Sequence, residues 1–362
     1  MGDSPMTSAA VKASIIIVNW NGREHLAACL DSLAAQSWRD FQVILVDNGS
    51  TDGSVPFVRE RYPWVELVPL AGNTGFATGN NLGLAQARGE FIIALNNDTR
   101  VEPDWLETLV TVAEAHPRAG LIGSRICAFD DADRIDSLGV GICRDGMSRG
   151  WSRHQRWSEL QLPAVVPILF PSGCAALYRR QMLEEIGFFD DDFFAYCEDT
   201  DLGLRGRVAG WDALLATQAV VYHKYSSTAG VLSPFKLYLV ERNHYWVVLK
   251  SFPWPYLLLL PVFTLCRFAE QLRVVFAGQG AGGEFRAAGS RRALVGALLR
   301  GMADALAGTP RMLKRRRLIM RGRVLSPSAM GRLLAQYRLS FRELLGAEAP
   351  APPAGEKEVS AC

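Results

Sequence analysis

The sequence predicts an α/β protein whose N-terminal part is built on a mainly parallel central sheet and whose C-terminal part is helical. Three observations predict it. Short runs of apolar, often β-branched residues recur through the first hundred positions, each ending in a polar turn and separated by segments of helical periodicity, which is the rhythm of βαβ units. These runs do not alternate apolar with polar residues, so their strands are covered on both faces. Beyond residue 227 the rhythm stops, and apolar and basic helical patterns replace it.

Ser14–Val18 (SIIIV) reads as the first strand and breaks at Asn19-Trp20-Asn21-Gly22. Arg23–Gln36 then places Leu26, Leu30, Leu33 and Ala34 on one helical stripe. Phe41–Val46 is the second strand and runs into Asp47-Asn48-Gly49. Val65–Leu70 is the third, followed by a glycine-rich turn through Gly75 to Asn80 and Asn81 and a helix over about 82–88. On this reading Asn80 and Asn81 stand at a helix start, where amides face an anion. The spacing is not the GxGxxG of a dinucleotide loop. Phe91–Leu95 is the fourth strand and delivers Asn96, Asn97 and Asp98. Hard oxygen ligands at the carboxyl end of such a strand suit a divalent cation, Mg²⁺ or Mn²⁺, that holds a phosphate.

Further chemistry gathers downstream. Glu198-Asp199-Thr200-Asp201 follows the aromatic run Phe193-Phe194-Ala195-Tyr196. Carboxylates this close repel one another, and an apolar collar raises at least one pKa, as a general base requires. Asp201 suits a helix cap equally well. Asp47 suits a contact to a nucleobase or ribose, or the capping of its own turn. Asp98 could likewise belong to a polar cap before Glu102-Pro103-Asp104. His223 ends the β-branched run Val220-Val221-Tyr222, a place where a lone histidine is often a satisfied structural residue. The piece 129–167 shows little periodicity and reads as an insertion or hairpin at the site rim, with no assignable role.

Several of these segments carry a resemblance. VNWNGREHLAACLDSLAAQSWRDFQVILVDNGSTDGS, NTGFATGNN and LNNDT look like the donor half of a family 2 glycosyltransferase of the Rossmann-like GT-A fold. PSGCAALYRRQMLEEIGFFDDDFFAYCEDTDLGLRGRVAGW resembles the acceptor half of its rhamnosyltransferase-like branch. The resemblance implies a catalytic domain over 12–227, with donor half about 12–125 and acceptor half about 126–227. It implies a nucleoside diphosphate sugar held by Asn19, Trp20, Asp47, Asn48, Gly75, Asn80, Asn81, Asn97 and Asp98. A metal would sit on Asp98 and His223, and the acceptor on Gly173, Cys174 and Glu198. Asp199 would be the catalytic base of an inverting transfer, with Glu198 orienting it or the acceptor. Asn96 replaces the first carboxylate of a DxD-type pattern, so Asp98 carries most of the charge toward the metal. The sugar suggested is dTDP-rhamnose, and the acceptor a glycan or polyprenyl-linked glycan of bacterial polysaccharide or cell-wall synthesis.

Composition sets bounds. The 362 residues are 49% hydrophobic, which supports a sizeable core and excludes a disordered chain. The seven cysteines show no CxxC pair and no zinc spacing, as free thiols in a reducing compartment would. The opening MGDSPMTSAAVK lacks an apolar stretch, so no secretory signal is expected there, and no myristoylation site. Net charge is only +2, yet 267–342 holds sixteen Lys and Arg against Glu270, Glu284 and Asp304.

That basic excess belongs to the expected helical extension, 228–345. Tyr238–Leu249 reads as a helix broken by Pro253 and Pro255. Tyr256–Cys266 is apolar but too short to span a bilayer, and is expected to lie in the interface. Arg291–Leu313 and Lys314-Arg315-Arg316-Arg317 read as basic amphipathic helices facing an anionic leaflet, or packed on the catalytic domain or a second subunit. Residues 346–362 read as a disordered tail. The expected protein is cytoplasmic and peripheral on the inner face of the membrane, with a possible homo-oligomer and no nucleic-acid partner. Two rival readings are a non-catalytic nucleotide-sugar-binding scaffold and a nucleotidyltransferase. The first predicts damage at Asp98 or Asp199, and both are present. The second wants a Gly-rich basic phosphate loop after the first strand, where this chain has Asn19-Trp20-Asn21-Gly22.

Overall fold

A computed structural model describes residues 11–224, 233–277 and 291–346. The expected leader and, apart from Gly346, the expected tail lie outside the described residues.

Strands β1 (Ala13–Asn19), β2 (Phe41–Asp47), β3 (Glu66–Pro69) and β4 (Phe91–Leu95) form a parallel half-sheet in the order β3-β2-β1-β4. Helices α1 (Arg23–Ala34), α2 (Ser54–Arg61) and α3 (Phe76–Leu84) connect them. The short β5 (Thr99–Val101) and α4 (Trp105–Ala115) follow, and lead to β6 (Ala119–Ala128). The chain then makes a rim of short strands, β7 (Asp131–Ser137), β8 (Val140–Ile142), β9 (Ser148–Gly150) and β10 (Val165–Pro167). It returns into the sheet as β11 (Ala175–Arg179), antiparallel between β4 and β6. Helices α5 (Arg180–Ile186) and α6 (Glu198–Val208) precede the long β12 (Asp212–His223), which pairs parallel with β6. The expected parallel sheet thus holds through β1–β4, and β11 reverses direction in its middle.

The uninterrupted apolar strands have the physical cause inferred from their pattern. Ile15 and Ile17 point to one face and pack with Leu26, Leu30 and Leu33 of α1, while Ile16 points to the other, and all are fully buried. Successive side chains of a strand alternate faces, so a sheet sandwiched by helices needs apolar residues at every position. Asn19, Asp47 and Asn96–Asp98 therefore all emerge at the carboxyl ends of neighbouring strands, beside the point where chain order reverses about β1.

One boundary differs from expectation. The third helix begins at Phe76 rather than near Leu82, so Asn80 and Asn81 lie within it. Asn80 Nδ2 donates back to the Phe76 carbonyl at 2.9 Å, and Asn81 Nδ2 donates to the Phe189 carbonyl and to Asp191, both at 2.8 Å.

The C-terminal part is helical as expected: α7 (Pro234–Ser251), α8 (Trp254–Ala277), α9 (Arg291–Arg321), α10 (Pro327–Gln336) and α11 (Phe341–Leu345). Pro253 lies between α7 and α8, while Pro255 sits in the first turn of α8, which runs on through Pro261 as one helix. Helix α9 packs along α7, so part of its basic surface packs on the protein itself. Arg316 is buried and donates to the carbonyls of Leu249 and Phe252, while Arg311 pairs with Asp192 at 3.0 Å. No helix among the described residues is long and apolar enough to cross a membrane. The six described cysteines are all free.

Candidate active site

A pocket of about 800 Å³ opens over the carboxyl ends of the strands. Its walls include Trp20, Asn48, Gly75, Asn97, Asp98, Gly173, Cys174, Glu198, Asp199 and His223. Asn19, Asp47, Asn80 and Asn81 are not among them.

Asn19 and Asp47 form the layer beneath. Asn19 Nδ2 donates to Asp47 Oδ2 at 2.9 Å, and Asn97 Nδ2 donates to Asn19 Oδ1 at 2.7 Å. Asp47 Oδ1 accepts the Ser50 amide at 2.8 Å. Both residues are fully buried, so they join the ends of β1, β2 and β4 and close the turn after β2. Asn48 grips the next loop, accepting from Thr74 and donating from Nδ2 to the Gly75 carbonyl at 3.0 Å. Gly75 itself has φ of +90°, and a Cβ there would fall 2.6 Å from the Phe194 carbonyl. Only glycine fits where these two loops meet.

On the opposite wall Asp199 is held by the backbone. Its Oδ2 accepts the Gly173 amide at 2.9 Å and its Oδ1 accepts the Thr200 amide at 2.6 Å. A Cβ on Gly173 would come within 3.1 Å of Asp199 Cβ, so the close approach depends on glycine. Burial raises the Asp199 pKa, while these hydrogen bonds pull it down, and the net direction is upward. Glu198 next to it is pushed up to about 8 by burial and by the Asp199 charge. Its Oε2 is buried and has no hydrogen-bond partner in the protein. At neutral pH the pair therefore presents an amide-anchored Asp199 beside a Glu198 that keeps its proton. Asp201, third of the run, turns away into the core, paired with Arg205 and Lys250 at 2.8 Å each.

Asp98 and His223 meet in the same pocket, next to Cys174. His223 Nε2 lies 3.3 Å from Asp98 Oδ1, and Nδ1 lies 2.8 Å from Asp136 Oδ2. Burial opposes charge on this ring, but Cys174 and the hydrogen bonds to Asp136 and Asp98 outweigh it and hold the pKa well above the usual value. Among the described residues no group of three or more His, Cys, Asp or Glu could by itself hold a metal ion. Asp98 suits a cation that takes its remaining ligands from phosphate oxygens and water, the habit of Mg²⁺ and Mn²⁺, and His223 would join it only on giving up its proton.

Sequence reasoning missed the residues that shape the catalytic loop. Phe194, Tyr196 and Cys197 all have φ between +65° and +67°, a conformation costly for non-glycine residues. Asn243 of α7, fully buried, donates from Nδ2 to the carbonyls of Phe193, Ala195 and Tyr196 at 2.7–3.0 Å. Arg242 donates to the Asp192 and Phe193 carbonyls. The polar run Glu241-Arg242-Asn243-His244 within α7 was the signal the sequence offered. It also left the 129–167 piece without a role, and the structure places Ser148, Arg149 and Arg153 from it on the pocket wall.

A sheet of this order with a pocket at its strand ends is the GT-A fold. The fold is shared with GalNAc-T7 crystallised with UDP, GalNAc and Mn²⁺, at a TM-score of 0.55 and 15% identity, covering 68% of this chain and 49% of that one. It is also shared with the mannosyltransferase PcManGT of Pyrobaculum calidifontis in complex with GDP-Man and Mn²⁺, at a TM-score of 0.51 and 18% identity, covering 88% and 89% of the two chains. The chain belongs to glycosyl transferase family 2, whose model matches residues 14–187. Within it the chain stands in a rhamnosyltransferase-like branch. It is 33% identical over 236 residues to the N-acetylglucosaminyl-diphospho-decaprenol L-rhamnosyltransferase of Mycobacterium tuberculosis, covering 59% of this chain and 76% of the relative. The O-antigen biosynthesis protein RfbC of Myxococcus xanthus is 28% identical over 257 residues, covering 67% of this chain and 19% of that protein.

Proposed function

We propose that the chain is an inverting glycosyltransferase that moves a sugar, rhamnose from dTDP-rhamnose, onto a hydroxyl of a diphosphate-linked polyprenyl glycan in bacterial cell-wall or polysaccharide synthesis. Residues 12–227 form the catalytic domain and 228–345 a helical extension that rests on the membrane. The single observation that carries the reading is one pocket holding the anchored Asp199 carboxylate on one wall and the Asp98–His223 pair on another.

Asp199 takes the proton of the acceptor hydroxyl as that oxygen attacks the anomeric carbon. The bond from this carbon to the diphosphate breaks, the nucleoside diphosphate leaves with the electron pair, and the anomeric centre inverts. Glu198, neutral below about pH 8, donates a hydrogen bond to a sugar oxygen and places no second negative charge beside the base. Trp20 offers an aromatic face to the nucleobase and is half exposed at the pocket mouth. Asp98 and His223 are the residues that would hold a divalent cation, and such a cation would supply charge neutralisation at the departing diphosphate. Asn97, tied through Asn19 to Asp47, keeps Asp98 in register with the donor turn.

The test is a pair of measurements on Asp199→Asn. Transfer from dTDP-rhamnose to a GlcNAc-diphospholipid is expected to vanish, while donor binding by thermal shift stays within a few fold of the parent. A loss of donor affinity as large as the loss of rate would remove Asp199 from the role of base. A parent protein stabilised by UDP or GDP sugars and not by dTDP-rhamnose would replace the donor.

A further inference from the structure

A second cavity of about 580 Å³ adjoins the first, and the wall between them is made of Asp136, Arg153 and His223. Its other polar side chains are Asp130, Arg134, His154 and Lys224. They come from separate pieces of chain: the 129–136 turn and β7, the segment after β9, and the end of β12. Nothing in the reaction as described uses them.

The charge of this cavity is lopsided. Asp136 is already engaged, at 3.0 Å from Arg153 and 2.8 Å from His223. Asp130 is then left against Arg134 and Lys224. The field acts on His154: burial lowers its pKa, and the charges of Arg153, Arg149 and Arg134 lower it further. Arg134, Arg153 and Lys224 outnumber Asp130 and Asp136 on this concave surface, a placement of charge that favours an anion. Its position narrows the choice. The donor diphosphate, on the reading above, lies at Asp98 and His223 in the first pocket. Arg153, in the segment after β9, lines both cavities, so an acceptor whose hydroxyl meets Asp199 and whose next group runs past Arg153 reaches the second one.

We propose that the second cavity binds the diphosphate of a lipid-linked acceptor, with Arg134 as its principal contact, so that the enzyme recognises the diphosphate as well as the sugar. The proposal rests on the glycosyltransferase reading and adds the part of the acceptor that the rim insertion reads. Arginine's planar fork is suited to two phosphate oxygens at once. Arg134 is exposed on the cavity edge, so its removal opens no core.

The experiment is calorimetric titration of the full chain with farnesyl diphosphate while saturating dTDP fills the donor pocket. The parent is expected to retain a diphosphate site under these conditions. Arg134→Ala should weaken it about tenfold, the loss of one charge-assisted contact, and leave dTDP binding unchanged; Arg134→Lys should restore part of the affinity. Farnesyl diphosphate displaced one for one by dTDP, or bound equally by parent and Arg134→Ala, would overturn the proposal. Absence of dTDP binding with farnesyl diphosphate still sensitive to Arg134 would instead count against the donor reading and leave the cavity assignment standing.

Discussion

At the scale of residues, the site turns on two adjacent carboxyls that their surroundings treat differently. Asp199 has amide donors on both oxygens that oppose the effect of its burial, whereas Glu198 has a buried oxygen without a donor and holds its proton to about pH 8. Activity is therefore expected to fall as pH rises through about 8, when Glu198 becomes a second anion beside the base. Glu198→Gln should keep the hydrogen-bond donor and abolish that alkaline fall, and a pH–rate profile with an unchanged alkaline limb would contradict the assignment. Stability carries the same signature with a definite sign. The folded pKa lies above the unfolded value, so the native state binds the extra proton and loses stability as pH climbs from about 4.5 toward 8. Glu198→Gln should thus melt higher than the parent at pH 9 and equally at pH 4. The chemistry of this pair was legible in the sequence because three carboxylates follow an aromatic run. Which of them turns inward was not, since Asp201 faces the core only through Arg205 and Lys250, 4 and 49 residues further on.

At the scale of elements, the apolar runs and glycine turns fixed where β1, β2 and β4 end, and so where the pocket lies, because those patterns are local. Contacts between distant segments were not readable. Helix α3 starts early because Gly79 and Gly83 let it lie against Val18 and Ile16, a packing gain that outweighs weak helix propensity. The left-handed run at 194–197 holds no glycine or asparagine to announce it. Its conformation is imposed from α7, where one Asn243 amide group serves carbonyls at Phe193, Ala195 and Tyr196. Asn243→Ala removes this donor from the Ala195 and Tyr196 carbonyls, while the Phe193 carbonyl keeps Arg242, and the loop next to Asp199 should relax. The expected result is a fall in kcat of about a hundredfold, the cost of a small misplacement of a catalytic group, with donor affinity within a few fold. A kcat within threefold of the parent would show that the loop holds its shape without the clamp.

At the scale of the whole molecule, the catalytic part and the extension are joined by buried charge, and this decides how the molecule can meet a membrane. Arg267 of α8 is fully buried, 2.6 Å from Asp145 in the β8–β9 turn and 2.7 Å from Glu241 of α7. Despite its burial, Glu241 is held at about 2 by His244 and Arg267. The helix is thereby fastened by one face to the pocket rim. Its other face is apolar and open: Trp254, Leu258, Val262, Leu265, Leu272 and Phe276 are all more than half exposed, a stripe about 33 Å long at 1.5 Å per residue. Arg144, Arg273 and Arg342 stand exposed around it. A helix pinned by a buried ion pair cannot turn to span a bilayer, but its free face can lie in the headgroup region with the pocket held at a fixed height. Neutralising Arg315, Arg316 and Arg317 would be a poor test, because Arg316 is buried and Arg315 lies near Asp190 and Asp192. Leu258→Glu with Leu265→Glu changes only exposed positions. The pair should abolish cosedimentation with phosphatidylglycerol vesicles at low salt while leaving transfer to a short, water-soluble acceptor within twofold of the parent. Vesicle binding equal to that of the parent would take this face out of the membrane contact.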